Sequence, residues 1–147
     1  MKRIILVLLS IVLFSISAVA QTRDHADKAI VYVYSYAAGV TLGRVKKPVY
    51  VGETELADIR PAKYFIVLLD PGKHAFHLRN KKFGGIEQEF KAGEIYYVRV
   101  VWSMDAALKP GGFVLMTREN GEYDIKQLKP IDKGNIRDKS MVITALD

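Results

Sequence analysis

Short apolar runs separated by turn-forming residues recur along the chain after residue 28. The first run, at 29–36, reads AIVYVYSY and alternates with a period of two, which is typical of a β-strand. Because both of its faces are largely apolar, we expect it to lie in the middle of a sheet. Similar runs predict further strands at 48–51, 55–59, 62–69, 73–79, 86–90, 94–102 and 113–116.

Turn signals lie between these runs. Asp70-Pro71-Gly72, for example, combines a fixed φ with a residue that tolerates positive φ. After residue 20, no stretch shows a clear amphipathic helix pattern over ten or more residues. About seven short strands at this spacing predict an all-β fold, an antiparallel β-sandwich.

The C-terminal part of the chain is patterned less clearly. Residues 122–129 fit either a strand or a short helix with Ile125 and Leu128 inward. The pattern is weak from 130 to 147, where we expect Met141-Val142-Ile143 to pack onto the sheet. The predicted organisation is a leader at 1–20, a polar segment at 21–28, the sandwich at 29–129 and a tail at 130–147.

The first twenty residues have the layout of a secretory signal peptide. Lys2 and Arg3 precede an apolar stretch that ends in small residues. Signal peptidase requires small side chains one and three residues before the cut, which Ala20 and Ala18 supply, so cleavage is predicted before Gln21. An uncleaved anchor is the alternative, but the apolar stretch is shorter than the ~20 residues of a spanning helix. We therefore expect a cleaved signal peptide, a periplasmic or secreted protein and no stable membrane anchor.

Composition narrows the classes of function. The 147 residues include 22 Lys+Arg, 16 Asp+Glu and no cysteine, and 50% of them are apolar. The lack of cysteine excludes disulfides, iron-sulfur clusters, cysteine-based zinc sites, thiol nucleophiles and cysteine-linked lipids. Loss of Lys2 and Arg3 with the leader lowers the formal net charge from +6 to +4. Without disulfides, stability is expected to rest on the apolar faces of the sheets.

The order of these motifs resembles one bacterial family. Together they are similar to the domain of unknown function 2846 family over 29–129. The segments that carry the resemblance are IVYVY at 30–34, PVYV at 48–51, YF at 64–65, LDPGKH at 69–74 and AGEIYYVRV at 92–100. The resemblance implies a β-sandwich of the Gram-negative envelope with no assigned activity or catalytic residues. Because some members are lipid-anchored, the missing cysteine implies a soluble periplasmic or exported form.

Few residues fit a catalytic or metal-binding role. His74 and His77 are three residues apart, which on a strand sends them to opposite faces, so a shared metal is not expected. We expect His74 to donate to a backbone carbonyl and His77 to lie on the surface. Glu87 and Glu89 share one face about 7 Å apart, which suits either acid–base chemistry or a soluble strand face. Ser103 lies outside any Gly-x-Ser-x-Gly turn. We therefore predict no enzyme, cofactor or metal.

Two basic clusters are candidate recognition features. One is Arg44, Lys46 and Lys47, and the other, which is the candidate binding surface, is a predicted hairpin tip formed by Arg79, Lys81, Lys82 and Phe83. Clustered cations contribute roughly 1 kcal/mol each near a negative surface, which suits anionic lipid, lipopolysaccharide or peptidoglycan. A solvated rim is the alternative interpretation. Nucleic acid is not expected, because the chain is predicted to be exported and contains no recognised module.

These features predict an exported, non-enzymatic module of the cell envelope that binds a protein partner or an envelope polymer. The alternative is a periplasmic carrier of a small apolar or amphipathic ligand held between the sheets. Tyr32, Tyr34 and Tyr36 form an aromatic stripe that fits either stacking on sugar rings or core packing. An enzyme is the least favoured class, because no constellation meets the geometric requirements of catalysis.

Overall fold

The computed structural model describes residues 25–36, 46–78, 85–101 and 112–146. The described residues contain one α-helix, α1 (Arg118–Ile125), one 3-10 turn (Lys133–Asn135) and ten strands. The strands are β1 (Ala29–Ser35), β2 (Lys47–Val51), β3 (Thr54–Ile59), β4 (Lys63–Leu69), β5 (Gly72–Leu78), β6 (Gly85–Phe90), β7 (Ile95–Val100), β8 (Phe113–Met116), β9 (Lys129–Pro130) and β10 (Val142–Ile143). The predicted all-β sandwich is confirmed. The predicted cleavage site at Ala18, Ala20 and Gln21 lies outside the described residues.

The strands form two sheets. The larger sheet has the order β10-β4-β1-β7-β8, with β9 also beside β4, and the smaller sheet has the order β3-β2-β5-β6. Strand β1 is central, as predicted, between antiparallel β4 and parallel β7. Strands β4 and β9 also run parallel, whereas the other pairs are antiparallel. The apolar pattern does not encode the parallel pairs, because a strand buried on both faces looks the same in either direction.

The hydrophobic core lies between the sheets. Val31 and Val33 of β1 and Phe65 of β4 face Phe76 of β5, and all four are fully buried. The rings of Phe76 and Phe90 meet edge to face, with centroids 5.8 Å apart. Burying each such side chain contributes about 1.5–3 kcal/mol, which makes this layer the main source of stability in a chain without disulfides.

The helix covers the outer face of the larger sheet. The sequence pattern of residues 122–129 fits either a strand or a short helix, and the structure places the end of α1 and then a turn there. Thr117 caps the helix, because its hydroxyl oxygen accepts from the Asn120 amide at 3.4 Å. Gly121 lies directly on Tyr97, where a Cβ atom would be 2.1 Å from the ring. The absence of a side chain at 121 therefore sets how closely the helix approaches the sheet.

The tail closes one side of the sandwich. After β9, Ile136 bridges to Ala57 of β3 in the smaller sheet, and Val142 then pairs with Val67 of the larger sheet. Ile131 and Val142 are 4% and 3% exposed and belong to the core. The expected packing of the 141–143 segment onto the sheet is confirmed. The tail thus joins the edges of both sheets.

Candidate binding surface at the basic end of the sandwich

Strand pairing places four chain connections at one end of the sandwich. Ser35 and Val100 are register partners at the ends of β1 and β7, and Val100 also faces Phe113 at the start of β8. In the smaller sheet, Val49 faces Leu78 near the start of β2 and the end of β5. Only 60–62 separate β3 from β4, so the two sheets share this end. The connections after β1, β3, β5 and β7 all leave the sandwich here.

Basic side chains are concentrated at these strand ends, which we call the basic end. Asp58 lies close by on β3, but its carboxylate accepts from Arg137 Nη2 at 2.5 Å and is half of an ion pair. The described cations of the basic end that lie on or beside β2, β3 and β4 and on which the site is built are Lys46, Lys47, Arg60 and Lys63. They come from two separate stretches of sequence, and the turn between β3 and β4 brings the second stretch beside the first.

Two lysines of the basic end extend the inward-facing stripes of their strands. Val51 and Val49 are buried on β2, and Lys47 is the next position on that face. Lys63 stands one step beyond the buried Phe65 on β4. Partial burial removes water from Lys47 and lowers its pKa below that of an ordinary lysine. Each sheet therefore has a half-buried lysine, Lys47 or Lys63, where its inward-facing stripe reaches the edge of the core.

Neutral oxygens hold the lysines in place. The ammonium of Lys46 donates to the amide oxygen of Asn135 at 2.8 Å, and that of Lys63 donates to the carbonyl oxygen of Pro130 at 3.1 Å. A neutral acceptor orients an ammonium group but does not cancel its charge. These contacts leave a positive field available to an incoming anion.

Arg60 begins the turn that joins the two sheets. Its Nε atom is buried and has no hydrogen-bond partner within the described ranges. Pro61 fixes the next φ, and Ala62 has a φ of 59°, a left-handed conformation that costs a residue with a side chain roughly 1–3 kcal/mol. An unsatisfied buried donor next to a strained alanine is unusual for a simple connection, and both groups belong to the basic end.

The predicted hairpin tip lies outside the described residues. Leu78 and Gly85 flank it, and the register of β5 with β6 places both at the basic end. The sequence predicts Arg44, Lys46 and Lys47 as one cluster, of which Arg44 lies outside the described residues, and the tip at Arg79, Lys81, Lys82 and Phe83 as another. Reasoning from sequence did not identify Arg60 and Lys63 as part of this surface, because the only local signal there is Pro61, which indicates a turn between them. Strand order, which apolar patterning does not specify, is what unites these residues.

The two histidines of β5 have structural contacts. His74 Nε2 lies 2.8 Å from the carbonyl oxygen of Asp70, as expected for a donor beside the turn. His77 is on the opposite face, where its ring stacks on Tyr50 with centroids 5.3 Å apart. The described ranges contain no group of three or more His, Asp or Glu side chains that suits a metal ion.

The paired glutamates lie on the outer face of the smaller sheet. Both are exposed, and Glu87 forms an ion pair of 2.6 Å with Lys73 of β5, which lies diagonal to it because the register partner of Lys73 is Glu89. Ser103 lies outside the described residues. None of the helices in the described part of the chain is long and apolar enough to cross a bilayer.

The tyrosine stripe of β1 is mostly covered. Tyr34 is fully buried under α1, and Tyr32 stacks on Tyr97 with ring centroids 5.2 Å apart. Tyr36, at 38% exposure, is the accessible end of the stripe. Core packing therefore describes Tyr34 better than sugar stacking does.

A comparison with known families gives a match. The model of a family described as a protein of unknown function (DUF2846) matches residues 25–113, more than half of the chain. The matched region contains β1 to β7 and also Lys46, Lys47, Arg60 and Lys63 of the basic end, whereas α1 and the tail follow it. A comparison with curated proteins finds no match.

Proposed function

The chain belongs to the DUF2846 family of proteins of unknown function, and from this premise we propose that it is an exported, non-enzymatic module of the bacterial cell envelope. Its basic end binds an anionic envelope polymer in this proposal. The observation that carries the proposal is the set of lysines held by neutral oxygens where four connections leave the sandwich.

Charge supports an anionic ligand. The connection between Leu78 and Gly85 adds Arg79, Lys81 and Lys82 by sequence to the cations that the structure describes at this end. Each cation near an anionic surface contributes about 1 kcal/mol to binding. Several cations acting together can therefore bind an anionic polymer without a deep pocket. At the opposite end of the sandwich, by contrast, the positive charge of Lys28 is paired with the carboxylate of Asp70 at 2.6 Å.

A non-enzymatic role is proposed because the groups that catalysis would use have structural partners. His74 contacts a carbonyl oxygen, His77 stacks on Tyr50, and Glu87 is paired with Lys73. A carrier with its ligand between the sheets has less support, because Val33, Phe65 and Phe76 occupy that space and are fully buried.

Binding of purified lipopolysaccharide, with peptidoglycan sacculi as a second probe, tests the proposal. The double variant Lys46→Glu/Lys63→Glu reverses two charges at the basic end, and Lys91→Glu is the control in an exposed turn at the opposite end. We expect the double variant to bind at least one of these probes tenfold or more weakly, and the control to bind as the parent does. Equal binding by all three proteins overturns the proposal. Selective capture of a protein by crosslinking would instead favour a protein partner.

Export has its own test. The mature chain is expected to begin at Gln21, and N-terminal sequencing of protein recovered from the periplasm or the medium measures this directly. Retention of Met1 contradicts the predicted signal peptide.

A further inference from the structure

The tail forms a groove on the side of the sandwich. Seven residues of the 133–145 segment line a cavity of about 380 Å³. This volume lies within the ~300–1,000 Å³ that small-molecule sites occupy. The side chains that matter for its chemistry are Ile136, Val142, Ile143 and Ala145 on the apolar side and Lys133 and Lys139 as cations.

The apolar side of the groove is anchored to both sheets. Ile136 bridges to Ala57 of β3, whereas Val142 and Ile143 pair with Val67 and Ile66 of β4. Val142 is buried, and Ile136 and Ile143 are half-buried, so part of each isoleucine remains accessible. Since β10 is held by pairing and packing, the groove is largely preformed, which lowers the entropic cost of binding.

The charged side of the groove is cationic. Lys133 and Lys139 are exposed, and within the described ranges neither forms an ion pair. Asp138, next to Lys139, is engaged elsewhere, because its Oδ1 accepts from the amide and hydroxyl of Ser140 at 2.8 and 2.5 Å. That carboxylate caps a turn and does not pair with the lysine beside it. An apolar surface with two ammonium groups complements a ligand that has an apolar chain and an anionic head.

We propose that this groove binds a single-chain amphiphile with an anionic head. The chain lies against Ile136, Ile143 and Ala145, and Lys133 and Lys139 bind the head. The groove and the basic end use different residues, so this proposal does not depend on the proposed function.

Dodecyl phosphate below its micellar concentration is the probe. Isothermal titration gives the Kd, and NMR shifts of the Ile136 and Ile143 methyl groups locate the ligand. Neutral dodecyl maltoside and cationic dodecyltrimethylammonium test whether binding requires a negative charge on the head. Dodecanoate tests whether a carboxylate head binds as a phosphate head does. We expect the two anions to bind tenfold or more tightly than the other two detergents, with shifts at both isoleucines. Comparable binding by all four, or unmoved isoleucine signals, overturns the proposal.

Variants assign the binding to the groove. Lys133→Glu/Lys139→Glu is expected to weaken dodecyl phosphate at least tenfold, with Lys126→Glu after α1 as the matched control. Ala145→Glu places a carboxylate at an exposed groove position without touching the core and is expected to have the same effect. Lys46→Glu/Lys63→Glu is expected to retain binding. If that variant loses binding while the groove variants keep it, the amphiphile binds at the basic end and the groove proposal is wrong.

Discussion

The Tyr34 hydroxyl donates to the Asp124 carboxylate at 2.7 Å, a buried hydrogen bond between residues 90 positions apart that ties β1 to α1. Tyr34 is fully buried and Asp124 is 9% exposed, so water cannot readily replace either partner. Burial, followed by the bond to Asp124, raises the pKa of the Tyr34 phenol and keeps it in its donating form. The helix is therefore held on the sheet by a polar contact as well as by packing.

Tyr34→Phe should destabilise the protein by about 1–3 kcal/mol, because it leaves a buried carboxylate without its donor. Urea denaturation followed by circular dichroism measures the free energy of unfolding. In the double variant Tyr34→Phe/Asp124→Ala, the two losses should be less than additive, because both substitutions remove the same bond. Strict additivity would show that the bond carries no coupling energy.

The helix also shows where reasoning from sequence reached its limit. Strands such as β1 and β5 were predictable, because burial of a pleated strand leaves an alternating pattern in the sequence. Helix α1 leaves no apolar stripe, since it meets the sheet through Gly121 and Asp124. The basic end was only half predictable for a related reason: Lys47 and Lys63 are 16 positions apart, and strand order alone brings them to one end.

Gly121→Ala should destabilise the protein by about 1–3 kcal/mol, even though alanine is the better helix former by about 1 kcal/mol. The added Cβ atom would lie 2.1 Å from Cγ of Tyr97, so the helix must move away from the sheet. Gly134→Ala is the matched control, because nothing lies within 4 Å of the atom it adds. Thermal unfolding of both variants decides the matter, and equal melting temperatures would refute close packing at Gly121.

Alkaline pH should destabilise the protein through its buried tyrosines. Burial raises the pKa of Tyr97 to about 12 from its ordinary value of 10.0. Below pH 10 the phenol is neutral in both states, so its contribution to stability is fully present. Between pH 10 and 12 only the unfolded state ionises, which costs about 2 kcal/mol by pH 12. Denaturation midpoints across this range measure the loss. Tyr97→Phe should show a shallower decline, and an identical decline would assign the effect to other groups.

Arg137→Ala should loosen the tail. Arg137 is the ion-pair partner of Asp58 on β3, whose side chain is 13% exposed. The substitution therefore leaves a nearly buried carboxylate without its partner. Removal of one partner from a partly buried pair is expected to cost about 1–3 kcal/mol. Limited proteolysis should then cut within 130–146 faster than in the parent chain. Asp58→Asn in the same background should recover part of the stability, whereas no recovery would mean that the pair is not the cause.

Binding at the basic end should depend steeply on ionic strength. Exposed charges are screened over about 10 Å at 0.1 M salt and about 3 Å at 1 M, so raising salt from 0.05 to 0.5 M should weaken lipopolysaccharide binding by an order of magnitude or more. Arg79→Glu/Lys81→Glu/Lys82→Glu should reduce both the affinity and the salt slope, because fewer cations then face the polymer. Lys91→Glu, at the other end of the sandwich, should change neither quantity. If the triple variant keeps the parent's affinity and slope, the connection between β5 and β6 takes no part in recognition, and the lysines beside Asn135 and Pro130 must account for the binding alone.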